Sequence, residues 1–289
     1  MNLRHILAAA DESEAGHQAV RSAIDLAARA HASVTVMRTF PVGAMAVAAG
    51  GTEASDFDGV VMERPSLQDL HQWVRTELHA QREPPHVEVG IAVGLPAIEI
   101  CRLAERRQAD LMVLGRKQRS QLGRLLLGDT ADAVARRSGI PCLFVPHHSG
   151  PFRQVLVALD GSERGMLVLT GALGFALGAG ASLRMMTVEA GPADEPAEAA
   201  STLPLARSAR LESELQALLT RNPVPGAVPA VEVRRGAIVE EILATVDAVA
   251  ADVLVIGYHR GGLPGIIEAG STARRLLHTA PGAVLTIPL

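Results

Sequence analysis

Asp11 and Asp160 each follow a short apolar run, Leu7-Ala8-Ala9-Ala10 in one case and Val157-Ala158-Leu159 in the other. A carboxylate at the end of a buried strand can accept hydrogen bonds from ribose hydroxyls or help to hold a metal. A second set of residues lies further along. Gly115, Gly123 and Gly128 are separated by seven and four residues, and Gly257, Gly265 and Gly270 repeat that spacing. Glycine at a strand end lets backbone approach a ligand closely. The last glycine of each set stands at a helix start, where free N–H groups and the helix dipole favour a phosphate. Ser271 and Thr272 add hydroxyl donors there, and Thr130 stands at the same place in the first set. Taken alone the glycine pattern is weak, because Gly123 and Gly265 also suit tight turns; combined with the strand-end aspartates it gives nucleotide-type binding as one of two readings.

The matched residues belong to a duplication. Ala109-Asp110-Leu111-Met112-Val113-Leu114-Gly115 returns as Ala251-Asp252-Val253-Leu254-Val255-Ile256-Gly257, and Gly128-Asp129-Thr130-Ala131 returns as Gly270-Ser271-Thr272-Ala273. The offset is 149 from Asp11 to Asp160 and 142 from Gly115 to Gly257. The first copy therefore carries about seven extra residues between its early and late motifs. Two tandem domains follow, 1–147 and 152–289, joined by a short linker that should hold them side by side.

Elements alternate within each copy. In the first, residues 3–10 read as a strand, and Ser13 caps a helix running to about His31. A strand follows at 32–39, a long loop at 40–65, a helix at 66–82 and a strand at 86–93. Pro96 sits in a helix's first turn, where its missing N–H costs least. Residues 110–114 form a strand, 116–127 a loop, 128–137 a helix and 141–145 the last strand. The second copy places strands near 154–159, 182–188, 229–234, 252–256 and 283–287, with a long loop at 189–202. Alternating strands and helices predict an α/β fold with a parallel sheet and right-handed crossovers. In such sheets ligands bind beyond the carboxyl ends of the strands, where strand order reverses. With strands 1 and 4 adjacent there, Asp11 meets Gly115 and Asp160 meets Gly257, one crevice per domain.

Composition narrows the class. The chain has 289 residues, 48% hydrophobic but only 2% aromatic, so its core is Ala, Val, Leu and Ile. That suits parallel strands covered by helices. A net charge of −4 gives no reason to expect nucleic acid or an anionic membrane as partner. The N-terminus lacks a signal-peptide apolar region and no apolar run is long enough to span a bilayer, so a cytoplasmic protein is expected. Cys101 and Cys142 make no disulfide framework and read as small apolar residues.

Asp-Gly-Ser after strand 1, Ala-Asp-(apolar)4-Gly at strand 4, the glycine loop, and Pro-x-(apolar)-Val near the end of each copy resemble the universal stress protein family. The resemblance covers nearly the whole chain, as two copies. It implies a doubly wound five-stranded parallel sheet in each domain, order 3-2-1-4-5, with helices on both faces. It also implies ATP or AMP, with Mg²⁺, as possible ligand. Many members hold nucleotide with Gly-x2-Gly-x9-Gly-(Ser/Thr); others bind none. In the first copy Gly115 and Gly128 match, but Gln118 replaces the second glycine and Asp129 the final hydroxyl residue. A carboxylate at that helix start caps it and occupies or repels the phosphate place. In the second copy Gly257, Gly270 and Ser271 match and only Arg260 departs; an arginine there either blocks backbone approach or pairs with phosphate. Nucleotide binding is therefore expected mainly in the second domain.

Other residues have ordinary readings. His147-His148 reads as solvated linker, and His71 and His79 share a helix face without a carboxylate at metal-ligand spacing. Arg116, Lys117, Arg119 and Arg124 read as a solvated basic loop, with polyanion attraction as the alternative. Trp73 and Met62 either line a cleft or are buried. No catalytic or metal site is readable. The expectation is a non-catalytic stress protein, or a nucleotide-independent scaffold acting through protein contacts. By the resemblance, the last-strand edges pair between domains or subunits, and the chain is expected to form a homo-oligomer.

Overall fold

The computed structural model describes residues 2–40, 67–79, 81, 83–116, 129–162, 164–191, 202–221, 223, 230–259 and 271–289. Gln118, Gly123, Gly128, Arg260, Gly265 and Gly270 lie outside them, as do Met62, Lys117, Arg119, Arg124 and nearly all of the two long loops.

The first half runs β1 (His5–Ala10), α1 (Glu14–Ala30), β2 (Ser33–Phe40), α2 (Leu67–His79), β3 (Val87–Val93), α3 (Pro96–Arg106), β4 (Leu111–Arg116), α4 (Asp129–Arg137) and β5 (Cys142–Pro146). The second runs β6 (Gln154–Leu159), α5 (Gly165–Ala179), β7 (Ser182–Ala190), α6 (Thr202–Arg221), β8 (Val231–Gly236), α7 (Ile238–Ala248), β9 (Val253–Tyr258), α8 (Ser271–Thr279) and β10 (Ala283–Pro288). Local chemistry sets these bounds. The Ser13 hydroxyl accepts from Gly16 N–H at 3.1 Å and caps α1, which His31 ends in the left-handed region at φ 53°. Pro96 opens α3 as expected. Phe40, expected in the long loop, continues β2 alongside Val93; likewise Glu189 and Ala190, expected as loop, belong to β7, which runs on beside Gly236.

The strands form one ten-stranded sheet in the order β3-β2-β1-β4-β5-β10-β9-β6-β7-β8. Each half has the expected 3-2-1-4-5 order. The last strands do not remain edges, because β5 and β10 pair antiparallel within the chain. Leu285 lies opposite Leu143, flanked by Val284–Phe144 and Thr286–Cys142. Leu143 and Leu285 are repeat counterparts, so a pseudo-twofold axis passes between them. Two cores cover the two faces of the sheet, and each contains residues of both halves. On one face α1 and α5 pack together, and the Leu3 side chain lies 2.6 Å from where a Cβ of Gly178 would stand. Buried in β5, the Cys142 thiol is pushed up to about 12; both cysteines are free.

The aspartate of each Ala-Asp repeat is structural. Asp110 Oδ2 accepts from Arg4 and His5 backbone N–H at 2.8 and 3.0 Å, and Asp252 Oδ2 from Arg153 and Gln154 N–H, both at 2.8 Å. Each carboxylate ties the start of one strand to its neighbour. Asp110→Ala and Asp252→Ala should each destabilise the fold by about 1–3 kcal/mol, since each strips two backbone donors. Placed in different halves, the two losses should add; urea denaturation of the single and double variants checks this.

Candidate functional site

β1 lies beside β4, and β6 beside β9. The carboxyl ends of these strands are therefore the points where the strand order reverses, the place where ligands sit in sheets of this kind. The two sites share Asp11/Asp160, Ser13/Ser162 and Gly115/Gly257 but differ in the groups around them.

In the first, Asp11 leaves β1 and its Oδ1 accepts from the Ser13 N–H at 3.0 Å and from the Ser13 hydroxyl. This turn directs the chain into α1. A Cβ on Gly16 would stand 2.2 Å from Asp11 Oδ1, and a Cβ on Gly115 would stand 2.5 Å from the Ala15 carbonyl carbon and 2.7 Å from Gly16 N. Asp11 and Gly115 are thus brought together, as expected, but around the first turn of α1. The backbone that approaches Gly115 is the protein's own. Across the same strand ends Glu12 forms an ion pair with Arg38 of β2, and the Arg38 guanidinium lies 5.2 Å from the Phe40 ring centre. At α4 the first turn carries Asp129, exposed, and Asp132; Thr130 is half-buried. Negative charge already serves that helix start.

The second crevice lacks these groups. Gly161 replaces Glu12 and adopts φ +70°, and Thr187 replaces Arg38. Asp160 is exposed, its Oδ1 accepting from Ser162 N–H at 2.9 Å. A Cβ on Gly165 would stand 3.8 Å from that oxygen, so Asp160 is not pressed onto the helix start as Asp11 is. α5 begins without a side-chain cap. α8 begins at Ser271 with no acidic residue in its first turn and with Thr272 half-buried. Gly257 is covered differently from Gly115: a Cβ there would meet Leu289 Cδ1 at 2.7 Å and Val168 Cγ2 at 3.1 Å. Among the described residues no group of three His, Cys, Asp or Glu could hold a metal.

Both halves of the chain match the family model described as the universal stress protein family, over residues 2–146 and 151–288. The chain belongs to the universal stress protein family. Stress response protein NhaX of Bacillus subtilis is 26% identical over 160 residues, 48% of this chain and 96% of that protein. A universal stress protein of Methanocaldococcus jannaschii is 42% identical over 52 residues, 18% of this chain but only 31% of that protein. Over their full lengths, a universal stress protein from Archaeoglobus fulgidus gives a TM-score of 0.71 at 19% identity, covering 98% of each chain. A second solved structure, described as a putative universal stress protein from Pseudomonas aeruginosa, gives 0.67 at 16% identity, with 99% of this chain and 93% of that one covered. These two likenesses are of fold.

Within the family frame, one residue is not where the sequence puts it. Arg116 is no part of a solvated loop: it ends β4 and is fully buried. Its guanidinium donates to the Leu277, Ala280 and Gly282 carbonyl oxygens at 2.9, 2.6 and 2.5 Å, at the carboxyl end of α8. Burial lowers its pKa to about 10, which leaves it a cation at neutral pH. Trp73 stacks on His17 of α1, ring centres 4.5 Å apart, and packs against the core rather than lining a cleft. Residue-by-residue alignment of the repeats gives the Glu12/Gly161 contrast directly; the partner of Glu12 comes only from strand pairing.

Proposed function

We propose that this universal stress protein is a non-catalytic, cytoplasmic stress-response protein whose second domain holds or senses ATP or AMP with Mg²⁺. One observation carries the reading. The first crevice holds the Glu12–Arg38 pair and opens α4 with Asp129 and Asp132, whereas the second has Gly161 and an exposed Asp160, and its α8 starts at Ser271 with no carboxylate in the first turn. An anionic phosphate is repelled at the first helix start and favoured at the second. Asp160 is suited to the ribose hydroxyls, and Gly257, Arg260 and Gly270 complete the proposed set; Asp11, Gly115, Gly128 and Thr130 form its weaker counterpart.

Calorimetric titration of folded, ligand-free protein with ATP and AMP, with and without Mg²⁺, tests the proposal. One binding event per chain is expected, weakened at least about tenfold by Ser271→Asp through loss of a charge-assisted bond and added repulsion. No heat at millimolar nucleotide sinks it. A second reading, a scaffold acting through protein contacts, is favoured by the packing of Leu289 and Val168 over Gly257. It predicts that Asp160→Ala leaves the stress phenotype of the cell intact, and loss of that phenotype counts against it.

A further inference from the structure

The pseudo-twofold axis through Leu143 and Leu285 brings α4 and α8 together above the β5–β10 pair. Repeat counterparts meet there. Asp132 on α4 and Arg274 on α8 are equivalent positions, and Asp132 Oδ1 lies 3.8 Å from Arg274 Nε. Arg136 and His278 are the next equivalent pair, one helical turn on. Arg136 forms an ion pair with Asp132 Oδ2, and His278 Nε2 stands 3.8 Å from Asp132 Oδ1. Beneath them Arg116 reaches from β4 to the end of α8, while its counterpart Tyr258 offers no cation to the end of α4.

A twofold interface between identical domains places each axial residue against itself. Two first domains would set Asp132 against Asp132, but with each copy's Arg136 beside them to offset the charge. Two second domains would set Arg274 against Arg274, with His278 beside them, and would lack the guanidinium that satisfies the Leu277, Ala280 and Gly282 carbonyls. The mixed pair sets Asp132 against Arg274 at the axis and supplies Arg116 to α8, both of which a pair of second domains lacks. Like-charge contacts against the wrong partner are a recognised source of specificity.

We propose that Asp132, Arg274 and Arg116 form a pairing code by which the last-strand edge of the second domain selects the first domain rather than a second copy of itself. On the edge strands themselves the Thr286 hydroxyl donates to the Cys142 carbonyl oxygen at 3.3 Å; the charged contacts come from the helices above and from Arg116.

A charge swap in the full chain tests this. Asp132→Arg gathers cations on the axis and should lower Tm by on the order of 5 °C, the scale of a moderate loss in a chain of this size. It should also speed hydrogen exchange of β5 and β10 amides. Adding Arg274→Asp restores a carboxylate facing a guanidinium and should recover at least half of both changes. A role confined to α4, such as the Asp132–Arg136 pair, is not repaired by a change on α8. Should Asp132→Arg not fold, the same cycle is read with Asp132→Asn and Arg274→Gln, where coupling makes the double variant lose less than the sum. Strict additivity in the cycle that is read overturns the proposal. Neither outcome bears on nucleotide binding.

Discussion

Arg116→Met is expected to destabilise the protein by about 3 kcal/mol, because removing a buried donor leaves its acceptors without partners or water. Three main-chain oxygens, of Leu277, Ala280 and Gly282, lose their donor together. Two of them belong to the last turn of α8 or the residue after it, where carbonyls have no intrahelical partner. Methionine fills much of the stem volume, so the loss reports the hydrogen bonds more than a void. Arg116→Lys should rescue little: one ammonium lacks the planar fork that spans separate carbonyls. Urea denaturation followed by far-UV circular dichroism measures the change; a loss below about 1 kcal/mol would mean that the cost of burying the guanidinium cancels its bonds.

Gly115→Ala should be nearly as damaging, and Gly257→Ala much less so, although the two are repeat counterparts. The new methyl on Gly115 would stand 2.5, 2.6 and 2.7 Å from the Ala15 carbonyl carbon, the Ala15 oxygen and the Gly16 nitrogen. All three are backbone atoms in a capped first turn, so relief requires α1 to lift from the sheet. Overpacking of that kind costs about 1–3 kcal/mol. On Gly257 the closest contact is the far end of the Leu289 side chain, which can rotate away, while Val168 Cγ2 at 3.1 Å need give only a few tenths of an ångström. The expected cost there is below about 1 kcal/mol. Equal losses in the two variants would remove the distinction drawn between the crevices.

These two residues also show what the sequence carries and where it stops. The repeat makes the strand order and the pairing of Asp11 with Gly115 legible, because offsets and alternating elements are local properties of the chain. Ser13 and Pro96 announce helix starts for the same reason: each acts on backbone within a few residues. Arg116 is the opposite case. It stands beside Lys117 and Arg119 in a run that reads as basic loop, and the acceptors that bury it lie 161 to 166 residues away. Gly115 is legible as a place of close approach but not as to what approaches, since a helix backbone and a ligand both require the missing Cβ. The Glu12–Arg38 pair needs the β1–β2 register, which sets Ala10 opposite Arg38.

The antiparallel junction of β5 and β10 has a consequence in time. Ribosomes add roughly 5–20 residues per second and domains fold in the order they emerge. The first domain is therefore complete, with β5 formed, for on the order of ten seconds before β10 has been made. Throughout that interval Cys142-Leu143-Phe144-Val145-Pro146, all buried in the finished fold, is a naked apolar edge. In a polysome, neighbouring nascent chains present the same edge at high local concentration. That interval closes only when β10 and Arg274 arrive to meet β5 and Asp132.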